Sequence, residues 1–120
     1  MQNWGREMEN VIETKSFDFA VRTVNLYKHL TDNKKEFVLS KQLLRSGTSI
    51  GANVTEAQKG QSKADFHAKM QIALKEASET SYWLRLLHRT DYLSETEFKS
   101  LMADINELLR LLTAICKAVN

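Results

Sequence analysis

Residues 94–119 read SETEFKSLMADINELLRLLTAICKAV. Ser94 and Glu97 form a capping-box pair, in which a hydroxyl and a carboxylate each satisfy a backbone N–H left free at a helix start. Beyond it, Phe98, Leu101, Ile105, Leu108, Leu112, Ile115 and Val119 recur at alternating steps of three and four. That spacing keeps the apolar side chains in one stripe along one face, so the stretch predicts an amphipathic helix seated on a core.

The same rhythm recurs upstream. Phe66, Met70, Ala73, Ala77, Thr80, Leu84 and Leu87 mark a second seam, on a helix running from about Ser62 to Arg89. Only His88 to Leu93 separates it from the next cap, and a connection that short makes neighbouring helices antiparallel. Leu39, Leu43, Ser46, Ile50, Val54 and Ala57 mark a third seam, with Gly60 as its expected C-terminal stop. Gly47 and Gly51 lie inside this helix, each costing about 1 kcal/mol relative to alanine. The apolar phase is kept across them, which predicts one continuous helix whose glycines admit a tight crossing. The first bundle helix is expected to start near Ser16 and end between Thr31 and Lys35, with Phe17, Ala20, Val21 and Val24 on one face and Phe19, Leu26 and Leu30 on an adjacent one. Residues 1–15 are set apart as an N-terminal extension, with Trp4, Met8, Val11 and Ile12 at helical spacing. Residues 16–120 then form an all-α, antiparallel up-down-up-down four-helix bundle.

Composition agrees. The chain has 120 residues, enough for one core, and contains no proline, the strongest interrupter of helices. Its lone cysteine, Cys116, excludes an internal disulfide and fits a reducing compartment. The N-terminus has no apolar run of signal-peptide type, and no stretch reaches the ~20 apolar residues of a membrane span. A soluble, cytoplasmic protein is expected, with no membrane partner. The basic residues Lys34, Lys35, Lys41, Arg45, Lys59, Lys63, Lys69 and Lys75 cluster in the middle of the chain against Glu36, Glu56 and Asp65. Such a local excess points to a polyanion. Lys41 and Arg45 lie one turn apart on a helix face, and Lys59 and Lys63 flank a helix junction. Lys34, Lys35, Lys41, Arg45, Lys59 and Lys63 are therefore the candidate contacts for RNA or DNA, the alternative being a solvated face.

A bundle helix needs about three apolar positions in seven. Several helices here carry a second stripe: Phe19, Leu26 and Leu30 on the first, Ile72, Trp83 and Leu86 on the third, Met102, Leu109 and Cys116 on the last. A broad core face would account for them, but a subunit interface does so without large exposed patches, and a homo-oligomer is expected. Catalytic signals are missing. None of His29, His67 and His88 follows a glutamate by three residues, as a di-iron bundle site requires, and the sequence has no phosphate loop or nucleophile elbow. The histidines are read as solvated, and no enzyme, metal or cofactor is expected. Ser49, Asn53 and Glu56, with Glu76, Glu79 and Thr80, flank two of the seams. They fit either a binding site or a network of interhelix hydrogen bonds that fixes register.

The run QLLRSGTSIGANVTEA at residues 42–57 resembles the signature of the four helix bundle protein family, also called 23S rRNA intervening sequence proteins. Asp65-Phe66, the segment Ala73 to Ala77, Glu79-Thr80 and Trp83-Leu84 extend the likeness, which covers Phe17 to about Leu112. The sequence departs at Gln58-Lys59, where the family often has glycine; this touches only a helix end. The resemblance implies a bacterial bundle assembling as a homopentameric ring, with no known catalytic activity. Some relatives are encoded within insertions in 23S rRNA genes. The similar accessory variability determinant of diversity-generating retroelements is a basic pentamer that binds nucleic acid and a reverse transcriptase. The resemblance thus implies nucleic acid or a partner protein, such as a reverse transcriptase, as ligand. A pure protein-interaction scaffold is the competing expectation.

Overall fold

A computed structural model describes the backbone of residues 3–118 and the side chains of residues 7–118. The described chain is four helices with no strand: α1 (Asn3–Asp32), α2 (Leu39–Ala57), α3 (Lys63–Arg89) and α4 (Glu95–Ala118). Each helix packs on its neighbours in sequence, and α1 closes the set against α4; the diagonal pairs, α1 with α3 and α2 with α4, do not approach. Gly51 faces Ser16 and Gly47 faces Thr23. Ser46 lies against Thr80, and Glu56 reaches Lys69. Arg22 meets Asp104, and Lys15 meets Glu107. Across each of these seams, residue numbers rise on one helix as they fall on the other.

The predicted seams of α2, α3 and α4 are the core. Leu43, Ile50, Val54, Met70, Leu84, Leu87, Ile105, Leu108 and Leu112 are almost wholly buried. Each such side chain contributes about 1.5–3 kcal/mol. The capping box forms as read: Ser94 N–H donates to Glu97 Oε1 at 2.9 Å, and Glu97 N–H donates to Ser94 Oγ at 3.1 Å. α2 runs unbroken through its glycines. A Cβ at Gly47 would stand 2.7 Å from both Oγ1 and Cγ2 of Thr23, and one at Gly51 would stand 3.2 Å from the Ser16 carbonyl oxygen. The glycines therefore let the backbones of α1 and α2 approach.

Helix α1 departs from expectation in two ways. It starts at Asn3, not near Ser16, and crosses the 15/16 boundary without a break. Ile12 of the expected extension is fully buried, and Met8 packs against the core. Trp4 and Val119 lie outside the described side chains. The two faces of α1 are also exchanged. Phe19, Leu26 and Leu30, expected at a subunit interface, belong to the core, whereas Phe17, Val21 and Val24 point to solvent. The core-facing stripe is completed by Ser16 and Thr23, both buried where α2 comes closest, and these polar residues hide it from a search for apolar spacing.

Gly60 does not terminate α2 through a left-handed backbone. Among the described residues the left-handed positions are Lys35 (φ 56°) and Asp91 (φ 70°), which turn the chain after α1 and α3. At Gly60 the missing Cβ leaves room for the Ala57 carbonyl oxygen and the Phe66 nitrogen.

The start of α2 is closed by Glu36, which sequence spacing did not single out. Glu36 is 7% exposed, and its carboxylate accepts from the backbone N–H groups of Val38 at 3.1 Å, Leu39 at 2.9 Å and Ser40 at 2.6 Å. These are donors that a helix N-terminus otherwise leaves unpaired. Burial by itself would raise the Glu36 pKa, but the hydrogen bonds from Leu39, Ser40 and Val38 outweigh it and hold the group below its ordinary value. A depressed folded pKa contributes stability that is present above the unfolded value and lost as pH falls through the folded one. Glu36→Gln is therefore expected to cost about 1–2 kcal/mol at pH near 7 in urea denaturation, with the gap to wild type closing well below the usual glutamate pKa of about 4.3. A gap independent of pH would show that the charge of Glu36 plays no part.

Candidate functional site

The six basic candidates do not form one patch. Lys34 and Lys35 sit in the connection between α1 and α2, and Lys41 is in the first turn of α2. Lys59 and Lys63 flank the connection between α2 and α3, beyond the other end of α2. The 19 residues of α2 span about 28 Å, so the two groups lie at opposite ends of the bundle. Arg45 stands between them but is not a free cation. Its Nη1 lies 3.2 Å from Glu76 Oε2, and its Nη2 pairs with Glu79. The Trp83 indole N–H donates to the same Glu79 carboxylate at 3.0 Å. Glu79 is held below the usual carboxylate range by Trp83 first and Arg45 second, while Glu79 and then Glu76 raise Arg45. Arg45 thus joins α2 to α3 with its charge compensated by two carboxylates.

The polar flanking residues also divide. Glu76, Glu79 and Thr80 do bridge α2 and α3, through Arg45 and through Thr80 Oγ1, 2.9 Å from Ser46 Oγ. Glu56 bridges the same helices by pairing with Lys69 at 3.2 Å. Ser49 and Asn53 do not join them: Ser49 Oγ donates to the Arg45 carbonyl and Asn53 Nδ2 to the Ser49 carbonyl, each one turn back within α2. Hydroxyls and amides one turn from a carbonyl find it readily, and face spacing does not separate that choice from an interhelix bond.

At the α1–α2 end, Lys34, Lys35 and Lys41 are exposed, and no hydrogen bond or ion pair to their side chains occurs among the described residues. Between them stand Phe37 and Val38, 57% and 71% exposed. The acid of this segment, Glu36, is turned inward onto the α2 N-terminus, leaving Asp32 as the nearest exposed carboxylate in sequence. Phe37 belongs to no seam, so periodicity passed over it. The signal that could have found it is an aromatic residue set directly among lysines.

Of the remaining expected interface residues, Ile72 is exposed, Leu86 is half-buried, and Trp83, Met102 and Leu109 are half-buried against the core. His88 is not simply solvated: its ring stacks on Phe98 with centroids 4.0 Å apart, and Nε2 lies 3.4 Å from Glu95. Cys116 is buried, which pushes its thiol pKa up and makes it less reactive. Among the described residues no cluster of three His, Cys, Asp or Glu could hold a metal, and no helix is long and apolar enough to cross a membrane. Two open grooves run between α1 and α4. Lys15, Asp18, Asp104 and Glu107 line one, and Arg22, Asn25, His29 and Glu97 line the other. Lys15 and Arg22 are tied across them to Glu107 and Asp104.

A family model described as 23S rRNA-intervening sequence protein matches residues 8–114. The chain belongs to this family. The intervening sequence protein match takes in both lysine-bearing ends and begins inside the segment expected to be a separate extension. Among solved structures, the chain is similar to a protein of unknown function from the S23 ribosomal protein family of Bacteroides thetaiotaomicron. The two are 56% identical, the alignment covers 92% of this chain and 98% of that one, and the TM-score is 0.90. Comparison with curated proteins finds no match.

Proposed function

We propose that this chain is a non-enzymatic, homo-oligomeric bundle that binds single-stranded nucleic acid at the end where α1 passes into α2. In this reading the helices run up-down-up-down, as the falling and rising residue numbers across the seams support, and the assembly is the pentamer that the family resemblance implies. One observation carries the binding site: an exposed aromatic ring, Phe37, stands in sequence between three exposed lysines that make no ion pair among the described residues, while Glu36 is turned inward. Lysines draw in phosphates and release their counterions, and an exposed ring offers a face on which a base can stack. The family description, 23S rRNA-intervening sequence protein, favours RNA as the first ligand to test.

Fluorescence anisotropy with a labelled single-stranded RNA should detect binding that weakens as salt rises. Engagement of three lysines per chain gives a slope of log K against log salt of about −2 for each chain. No change of anisotropy at low salt would remove the proposal. The second reading, a scaffold for a partner protein, has its own support in the exposed Phe17, Val21 and Val24 of α1.

A further inference from the structure

Helix α3 ends at the end of the bundle where α2 begins. Along their seam Ser46 lies against Thr80, Arg45 against Glu79 and Glu56 against Lys69. Carried toward the start of α2, that antiparallel register sets Lys41 level with Arg85, and Phe37 and Val38 level with Arg89 and His88. From there a stripe runs down the outward side of α3. Arg89, Arg85 and Tyr82 follow one another at steps of four and three, which keeps them together on one helix face. All three are exposed, Tyr82 by 49%.

The Tyr82 ring is braced and still half open to solvent. It meets Trp83 edge-on, with centroids 4.9 Å apart and planes at 75°, and the Arg85 guanidinium lies 6.0 Å from its centre. Trp83 is itself anchored by its N–H bond to Glu79. Two acids beside the stripe are already engaged, Glu79 by Arg45 and Trp83, and Glu95 by His88. Asp91, in the turn beyond Arg89, is the nearest exposed carboxylate in sequence. Neither Arg85 nor Arg89 makes an ion pair among the described residues.

Tyr82 lies two helical turns, about 10 Å, below Arg89, and one interhelix spacing of about 8–10 Å from α2. The two exposed rings, Phe37 and Tyr82, therefore stand on the order of 15 Å apart. About four or five nucleotides at a stacked spacing of about 3.4 Å cover that distance. We infer that the α3 stripe is a second subsite for a single strand held at Phe37. The strand crosses the end of the bundle and continues down α3, with its phosphates on Arg89 and Arg85 and a further base stacked on Tyr82. The inference rests on the reading that this end of the bundle binds single-stranded nucleic acid. Cations alone attract any polyanion, but two rings joined by arginines suit a strand whose bases are free to turn outward, and a duplex keeps its bases inside.

The test is fluorescence anisotropy across a salt series, with a labelled single-stranded RNA of about twelve nucleotides. Such a strand meets five cations per chain, so the slope of log K against log salt should be about −3.5, not the value of about −2 set by three lysines. Arg85→Gln/Arg89→Gln should return the slope to about −2. Tyr82→Ala should weaken binding by about tenfold at unchanged slope, and Tyr82→Phe, which keeps the ring, should bind like wild type. Circular dichroism and light scattering should show unchanged helix content and molar mass in all three. Absence of binding by wild type would remove this inference together with the reading it rests on. Binding that is weakened in Phe37→Ala but keeps wild-type affinity in Tyr82→Ala, or the wild-type slope in the arginine pair, would overturn this inference alone. A loss of affinity accompanied by a changed mass or helix content would also overturn it, because the stripe would then serve the assembly or the fold.

Discussion

The triple variant Lys34→Glu/Lys35→Glu/Lys41→Glu is expected to weaken binding of single-stranded RNA by about 100-fold or more at low salt. Each replacement removes a cation that displaces a counterion from the phosphate backbone and puts a repelling charge in its place. All three side chains are exposed and none is in a hydrogen bond or ion pair among the described residues, so the loss should come with little change in unfolding midpoint. Two further variants separate this site from a general attraction to positive charge. Lys59→Glu/Lys63→Glu, at the far end of α2, should leave affinity within about threefold, because on these distances that end is not part of the site. Phe37→Ala should weaken binding by about tenfold while leaving the salt slope unchanged, since stacking releases no counterions. Equal losses from the two lysine groups would replace a site with a diffuse field. An unchanged affinity in Phe37→Ala would remove the stacking platform.

Gly47→Ala is expected to destabilise the protein by about 1–3 kcal/mol in urea denaturation, although alanine is favoured over glycine in a helix by about 1 kcal/mol. The sign is set by Thr23. A Cβ at position 47 would stand 2.7 Å from two Thr23 side-chain atoms. Thr23 is buried, and its Oγ1 donates to the Phe19 carbonyl at 2.9 Å, so it is not a flexible chain end that can swing aside. The added methyl must therefore push α1 and α2 apart and loosen the core packed between them. Thr23→Ala removes both of the closest atoms, and the double variant Gly47→Ala/Thr23→Ala should be more stable than Gly47→Ala alone. Losses that simply add in the double variant would mean that the crossing is not what holds a glycine at position 47.

The same crossing explains where reading the sequence succeeded. The glycine pair within an unbroken apolar phase predicted a close approach, and Gly47 against Thr23 and Gly51 against Ser16 are that approach. The reading did not extend to the partner helix. A helix that receives two glycines at short range places small polar residues in its own core stripe, so Ser16 and Thr23 interrupt the apolar pattern of α1. The unbroken-looking stripe of Phe17, Val21 and Val24 then drew the assignment to the wrong face.

The candidate site was legible in part. That Lys34, Lys35, Lys41, Lys59 and Lys63 are basic and close in sequence is plain from the chain. That α2 holds them apart, that Arg45 is claimed by Glu76 and Glu79, and that Glu36 turns inward from between lysines are relations across space.

By itself, then, the sequence determined the four helices, the core faces of α2, α3 and α4, the capping box at Ser94 and the family. Each of these rests on spacing within one helix or on a contiguous motif, which backbone geometry converts directly into a face or a cap. Only the tertiary structure decided which face of α1 is buried, where α1 starts and which cations are paired across helices. Those depend on distances between elements. Burial and ion pairing select among equally amphipathic choices only when the helices come together.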